Sequence, residues 1–441
     1  MGRNLRPAIM VALVATAMIC ITAPTRAATT PTYTVQDLGT LPGDYSSTAM
    51  GINAFGDVVG WSAGPNGTRA FIYTNAAGMT ALTGPPGRPV TTARAVNGSG
   101  TVVGNASTGG GDIGHAVRWQ AGVPLDLGTL GIGDFSDGRG VNATGVTVGQ
   151  SHTDGGALLA VHGFRYTNGA GMVDLTPTSD DAHAEGINDS GQIVGWREGR
   201  AFRLTGTAFT DLGVASGFAA SFGYAINSSG QVAGHVISGS GNSEQIFRYT
   251  NGTMVVLGGF GEFNRALGIN TAGDVVGYGL PVLGLRQGFV YTDANGLQGL
   301  NQLIDPASGW YILGAGGIND AGQIAGWASG PTGQRAVRLT PGAIIPPTKP
   351  NAPSALAGSQ ISSYQVRLTW ADNSGNELAF RVQRATGAQG TFAFLAEVPA
   401  NVTTFTDATV KAGKTYRYRV RAFNAAGTSA WSNTISVRVR R

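Results

Sequence analysis

The sequence predicts an all-β chain, a seven-bladed β-propeller followed by a β-sandwich. Three observations carry this reading. A ten-residue pattern, small–aliphatic–Asn–x–x–Gly–x–x–(Val/Ala)–Gly, occurs seven times at a mean spacing of about 44 residues. Each interval offers short strand-like segments and no helical periodicity, the signature of a propeller or array. After a Pro-rich stretch, the last residues alternate apolar and polar side chains over several short runs, the size and pattern of a small sandwich.

Residues 1–27 read as a secretory leader, with Arg3 and Arg6 before an apolar run and Thr25-Arg26-Ala27 as a cleavage site. That run is too short for a spanning helix, so membrane insertion is not expected. Cleavage after Ala27 removes Cys20, the single cysteine, so the secreted chain would use neither disulfides nor thiolate metal sites.

Residues 28–345 hold the repeats. The motif places Asn at Asn53, Asn97, Asn142, Asn188, Asn227, Asn270 and Asn319. Asn can bond its own backbone two residues on, and the Gly three residues later accepts a positive φ, so Asn-x-x-Gly reads as the bulged turn of a hairpin. A small–x–small segment precedes each Asn, as in Ala49-Met50-Gly51. It suits the innermost strand, because only Gly or Ala lets backbones approach near an axis. A third segment such as Arg200-Ala201-Phe202-Arg203-Leu204-Thr205 supplies a Phe to fill the space between blades. The fourth ends in Asp-Leu-Gly, as at Asp126-Leu127-Gly128. Four strands per repeat make one blade. The chain opens with a fourth strand near residues 33–41 and ends its last repeat on a third strand at residues 335–340. The two should pair and close the ring; an open solenoid is the alternative.

These motifs resemble the bacterial HAF extracellular repeat family. The likeness rests on the Gly-Ile-Asn-x-x-Gly positions, on Asp126 to Gly131, and on His115-Ala116-Val117 and His162-Gly163-Phe164. It implies a secreted, propeller-like protein and brings no site residues. Residues 346–352 form a Pro-rich linker, and residues 353–441 resemble a fibronectin type III domain. That resemblance is carried by Trp370, Asp372-Asn373 and Asn424-Ala425-Ala426-Gly427, with Tyr416 in the tyrosine-corner position.

Net charge is +4, but it is unevenly spread: residues 351–441 carry 11 Lys or Arg against 4 Asp or Glu, and the repeats are net acidic. An acidic repeat region argues against nucleic acid as a partner. Gly60-Trp61-Ser62-Ala63-Gly64 matches a nucleophile elbow in letters only, since no helix follows it. The five histidines lack metal spacing, and Asn188-Asp189-Ser190-Gly191 has too few carboxylates for a calcium loop. No cofactor, no metal and no catalytic set are expected.

One position, directly after the motif's last Gly, holds flat or amide side chains in every repeat: Trp61, Asn105, Gln150, Trp196, His235, Tyr278 and Trp327. Around an axis, Trp61, Trp196, His235, Tyr278 and Trp327 would suit stacking on sugar rings. The expected function is non-enzymatic binding of glycan or protein at or outside the cell surface, by a monomer. The rivals are a carbohydrate-active enzyme, which needs acids converging in the central depression, and a structural adhesin or matrix spacer.

Overall fold

The structure, a computed structural model, describes residues 33–441 apart from 110–113, 133–134, 154–159, 180, 242, 281–283, 343–348, 376 and 425. The expected leader, with its cleavage after Ala27, and the start of the expected linker lie outside the described residues. The chain divides into a compact unit of residues 30–345 and a second holding residues 346–441.

The first unit contains seven four-stranded antiparallel sheets, each a meander. The first sheet is Ser46–Ile52, Val58–Gly64, Gly67–Thr74 and Gly78–Leu82. The seventh draws Tyr311–Ile318, Ile324–Gly330 and Gly333–Pro341 from the end of the unit and takes Tyr33–Asp37 from its beginning. Tyr33–Asp37 pairs along Gly333–Pro341 in the register Thr34 to Thr340 and Val35 to Leu339. The long connection before the seventh sheet folds into two 3₁₀ turns, Leu300–Gln302 and Pro306–Ser308.

Every constant letter of the motif has a physical cause. In the first repeat, Asn53 Oδ1 accepts hydrogen bonds from the backbone N–H groups of Phe55 (3.0 Å) and Asp57 (2.9 Å), which shapes the turn. Gly56 sits at φ +82°, a left-handed conformation that a side chain disfavours. Gly60 meets its partner strand so closely that a Cβ would overlap the Thr48 carbonyl oxygen. That approach accompanies a β-bulge at the middle residue of small–x–small, between Ala49 and Gly51. The same bulge recurs in the other six first strands. A bulge re-aims its extra side chain, so Met50, Arg94, Arg139, Glu185, Tyr224 and Leu267 are set apart from the ladder.

The Asn side chain also does something its own repeat does not reveal. Asn53 Nδ2 donates to the Asn97 carbonyl (3.1 Å), Asn97 to Asn142 (2.8 Å) and Asn142 to Asn188 (3.5 Å). Asn188 donates to Asn227 (3.0 Å), Asn227 to Asn270 (2.8 Å) and Asn270 to Asn319 (3.5 Å). Asn319 donates to the carbonyl of Asn53 (3.0 Å), so the relay returns to its start. All seven side chains are buried, where an unmatched partner costs about 1–3 kcal/mol.

Two further contacts stitch neighbouring sheets. Arg118, Arg203, Arg248 and Arg338 each donate to the turn-Gly carbonyl of the next sheet: Gly145, Gly230, Gly273 and Gly56. Each also lies over the next third strand's Tyr, at 5.4–6.0 Å for Tyr166, Tyr249, Tyr291 and Tyr73. Between the sheets, Phe71, Phe164, Phe202, Phe247 and Phe289 are almost fully buried. The histidines that suggested a family name form local pairs instead: His115 Nδ1 with Asp126 (3.0 Å) and His162 Nδ1 with Asp174 (2.6 Å). Arg200 occupies the same place against Asp211 (2.8 Å). In these fourth strands the Asp also accepts from the N–H two residues on, at Gly128, Thr176 and Gly213, which explains Asp-Leu-Gly as a turn.

The second unit is a two-sheet sandwich. Three strands, Ser354–Ser362, Gln365–Ala371 and Thr404–Asp407, form one sheet. The other is built on Ala379–Thr386 and Thr415–Asn424. Trp370 lies in the core against Phe380 (5.6 Å). The Tyr416 hydroxyl accepts from the Lys411 N–H (3.0 Å), the backbone tie of a tyrosine corner.

Candidate functional site

The first strands of all seven sheets border one pocket, lined among others by Met50, Arg94, Glu185, Tyr224, Leu267 and Gly316. The residues after the motif's last Gly lie on the second strands, and what sits opposite each one decides its environment. Trp61 faces Thr48, Tyr278 faces Arg265 and Trp327 faces Gly314. Gly314 leaves the indole of Trp327 room that any side chain would fill. These three rings come from the first, sixth and seventh sheets and line one cavity of about 420 Å³ with Met50, Tyr224 and Leu267. Thr48, Arg265, Arg286 and Gln334 add polar groups to its wall. Tyr278 meets Trp327 edge-on at 5.9 Å, and the Arg286 guanidinium lies 4.5 Å over the Tyr278 ring. Arg265 is anchored by the Glu244 carboxylate, which also accepts from the Asn264 N–H (3.0 Å). Gln334 Nε2 donates to Thr48 Oγ1 (2.9 Å), holding the seventh sheet against the first.

The structure does not bring Trp196 and His235 to this cavity. Trp196 faces His183 and stacks on it at 3.9 Å, with Phe222 against its edge at 5.0 Å. His235 is 1% exposed and stacked near Phe222 (4.9 Å) and Tyr224 (5.4 Å), and neither ring nitrogen has a hydrogen-bond partner. Burial, and then the charge of Arg265, push its pKa down to about 2, so the ring stays neutral. Asn105 and Gln150 are occupied between sheets: Asn105 Nδ2 donates to the Ser136 carbonyl (2.9 Å), and Gln150 Oε1 meets His183 Nδ1.

Sequence reasoning passed over the bulge residues, and they supply the ionic half of the centre. Asp137 is gripped by Arg94 (2.9 Å) and Arg139 (3.0 Å), and Arg139 reaches Glu185 (3.7 Å). Burial works against the Arg139 charge, but Glu185 and Asp137 outweigh it and hold its pKa above the ordinary arginine value. Burial, then Glu185, raises Tyr224 to about 12. His183 is lowered, chiefly by burial. Two acids do converge here, and guanidinium groups lie against both: Arg94 and Arg139 on Asp137, and Arg139 on Glu185. The signal in the sequence was the single large residue between two small ones. Among the described residues no group of three or more His, Cys, Asp or Glu is placed to hold a metal, and no helix is long and apolar enough to cross a membrane.

Residues 351–438 match the fibronectin type III domain family. No curated protein is detectably similar to the chain. Solved structures that resemble part of it include a myokine structure, 16% identical, covering 21% of this chain and 99% of that chain with a TM-score of 0.20. A twitchin kinase region from C. elegans is 21% identical over 21% of this chain, with a TM-score of 0.20, and only 17% of that longer chain is spanned. An Fn3-like protein from Clostridium thermocellum is 23% identical, covering 21% of this chain and 97% of that chain with a TM-score of 0.19. The chain therefore carries a C-terminal fibronectin type III domain, residues 351–438, beside a repeat-built all-β unit.

Proposed function

We propose that residues 28–345 form a seven-bladed β-propeller of the HAF-repeat kind, and that the protein is secreted and binds a glycan without chemically changing it. The Asn relay that returns from Asn319 to Asn53, and the shared seventh sheet, support a closed ring. One observation favours the glycan: Trp61, Tyr278 and Trp327, distant in sequence, converge on a single cavity whose wall also offers Thr48, Arg265, Arg286 and Gln334. Flat apolar rings with a few fixed polar groups beside them match the two faces of a pyranose, one of C–H groups and one of hydroxyls. The enzyme reading is weaker, because Asp137 and Glu185 are held by Arg94 and Arg139.

Trp61→Ala and Tyr278→Ala should each weaken binding to whichever oligosaccharide an array identifies by about tenfold, roughly 1.4 kcal/mol. Phe55→Ala removes an exposed ring, 72% bare, from an Asn turn outside the cavity and should leave affinity unchanged. Isothermal titration measures all three. A wild-type chain that binds no array glycan, or a Trp61→Ala variant with full affinity, contradicts the proposal.

A further inference from the structure

A cluster of like charges lies in the second unit, far in sequence from the cavity. Along Thr415–Asn424, Arg417, Arg419 and Arg421 alternate with the buried Tyr418, Val420 and Ala422. Alternation puts the three guanidiniums on the outward face, about 6.8 Å apart from one to the next. Arg381 stands opposite Arg421 on the neighbouring strand and widens the cluster.

Among the described residues no carboxylate forms an ion pair with any of the three. Among the described residues the ion pair on this face is Arg381 with Glu397 at 3.8 Å. The ladder is held instead by neutral groups. Arg417 donates to the Gly390 carbonyl (2.8 Å), Arg419 donates twice to Gln383 Oε1 (3.0 and 2.7 Å), and Arg421 reaches Thr428 Oγ1 (3.4 Å). Aromatic rings brace it: Phe392 under Arg417 and Arg419, Trp431 under Arg419 and Arg421, all at 4.1–5.0 Å. Like charges fixed side by side without an anion are costly. Arg419 accordingly sits below the ordinary arginine pKa, through burial first and the charge of Arg421 second.

We propose that this outward sheet face binds an acidic polysaccharide, with carboxylate or sulfate groups along the chain bridging successive arginines. Guanidinium forks match both anions with paired hydrogen bonds and are weakly hydrated. The excess of 11 basic over 4 acidic residues in 351–441 adds a long-range attraction. Two features favour sugar over nucleic acid. Phe392 and Trp431 already carry guanidiniums over their rings, so they are not free for the base stacking on which single-strand binding relies. Phe394, cross-strand from Gln383 and 63% exposed, leaves one bare ring beside the ladder for a pyranose face.

The test is titration of the full chain with dextran sulfate and with polygalacturonate, beside neutral dextran and oligo-dT, at about 50 mM salt and then higher. Binding to one of the acidic polysaccharides, weakening steeply with salt, is the expected result. The triple variant R417Q/R419Q/R421Q should lose at least about tenfold in affinity. R367Q, which removes one exposed charge from the other sheet, should change it less than about twofold. If the triple variant does not fold, R417Q decides alone, because its hydrogen bond is to a single carbonyl. No binding to either acidic polymer, equal binding of oligo-dT, or an R417Q variant with wild-type affinity overturns the proposal.

Discussion

A chain lacking residues 28–44 should melt at least about 10 °C below the parent, or fail to accumulate as a soluble protein. The deletion strips Tyr33–Asp37 from the seventh sheet and exposes the edge of Gly333–Pro341. It also removes Tyr33, Leu38 and Leu41, all buried; the first packs beside Leu339 and the other two beside Ala336 and Phe71. At about 1.5–3 kcal/mol for each buried apolar side chain, this loss alone exceeds about 4 kcal/mol. Gly39 is lost too, and with it the carbonyl that accepts from Ser47 Oγ (2.5 Å), a hydroxyl that itself accepts from the Ala336 N–H (2.8 Å). Calorimetry on the deleted and full chains checks it. A melting temperature within a degree or two of the parent would show that the first strand is an ornament to the seventh sheet.

The second large effect is expected at a relay asparagine. Asn227→Ala should cost about 2–5 kcal/mol, measured by urea unfolding. Asn227 Oδ1 accepts from the N–H groups of Ser229 (3.2 Å) and Gln231 (2.9 Å), and Nδ2 donates to Gln231 Oε1 (2.7 Å) and the Asn270 carbonyl (2.8 Å). Alanine leaves the Gln231 N–H and the Asn270 carbonyl without these partners, at about 1–3 kcal/mol for each buried group. An exposed control, Asn251→Ala, lies outside the relay, though Asn251 sits at φ +51° and its replacement carries some backbone strain. If Asn227→Ala costs under about 1 kcal/mol, the side chain serves only its own turn.

Much of this fold was legible because its determinants are local and repeated. The Asn turn, the positive-φ Gly and the Phe between sheets each depend on a few adjacent residues. The relay was not legible, because each bond joins residues 39 to 49 positions apart, or 266 where Asn319 meets Asn53. Nothing in one repeat says that its Asn reaches the next. The arginines of the third strands were hidden in the same way: Arg338 finds Gly56 only because the seventh sheet lies against the first.

The site was legible by half. Equivalent positions after the motif's last Gly were read as equivalent environments, and cross-strand partners broke that equivalence. Thr48 and Gly314 are small, and Arg265 is drawn toward Glu244, so Trp61, Trp327 and Tyr278 remain at the cavity wall. His183 and Phe222 are flat, and they stack over Trp196 and His235. The bulge that turns Arg94, Arg139 and Glu185 out of the ladder has no marker in the sequence beyond the small residues flanking it.

The repeat unit's closure rests on its two ends sharing one sheet. The most direct measurement is disulfide trapping of Thr34→Cys with Thr340→Cys in a chain otherwise free of cysteine beyond Cys20. The two residues are direct partners in the register, and Cα atoms of paired antiparallel strands lie about 4.5–5.5 Å apart, within reach of a disulfide. Mild oxidation should convert nearly all of the monomer to an internally bridged form that runs faster on a non-reducing gel and melts higher than the reduced form. Free thiols that persist under oxidation, or bridges formed only between molecules, would contradict the shared sheet.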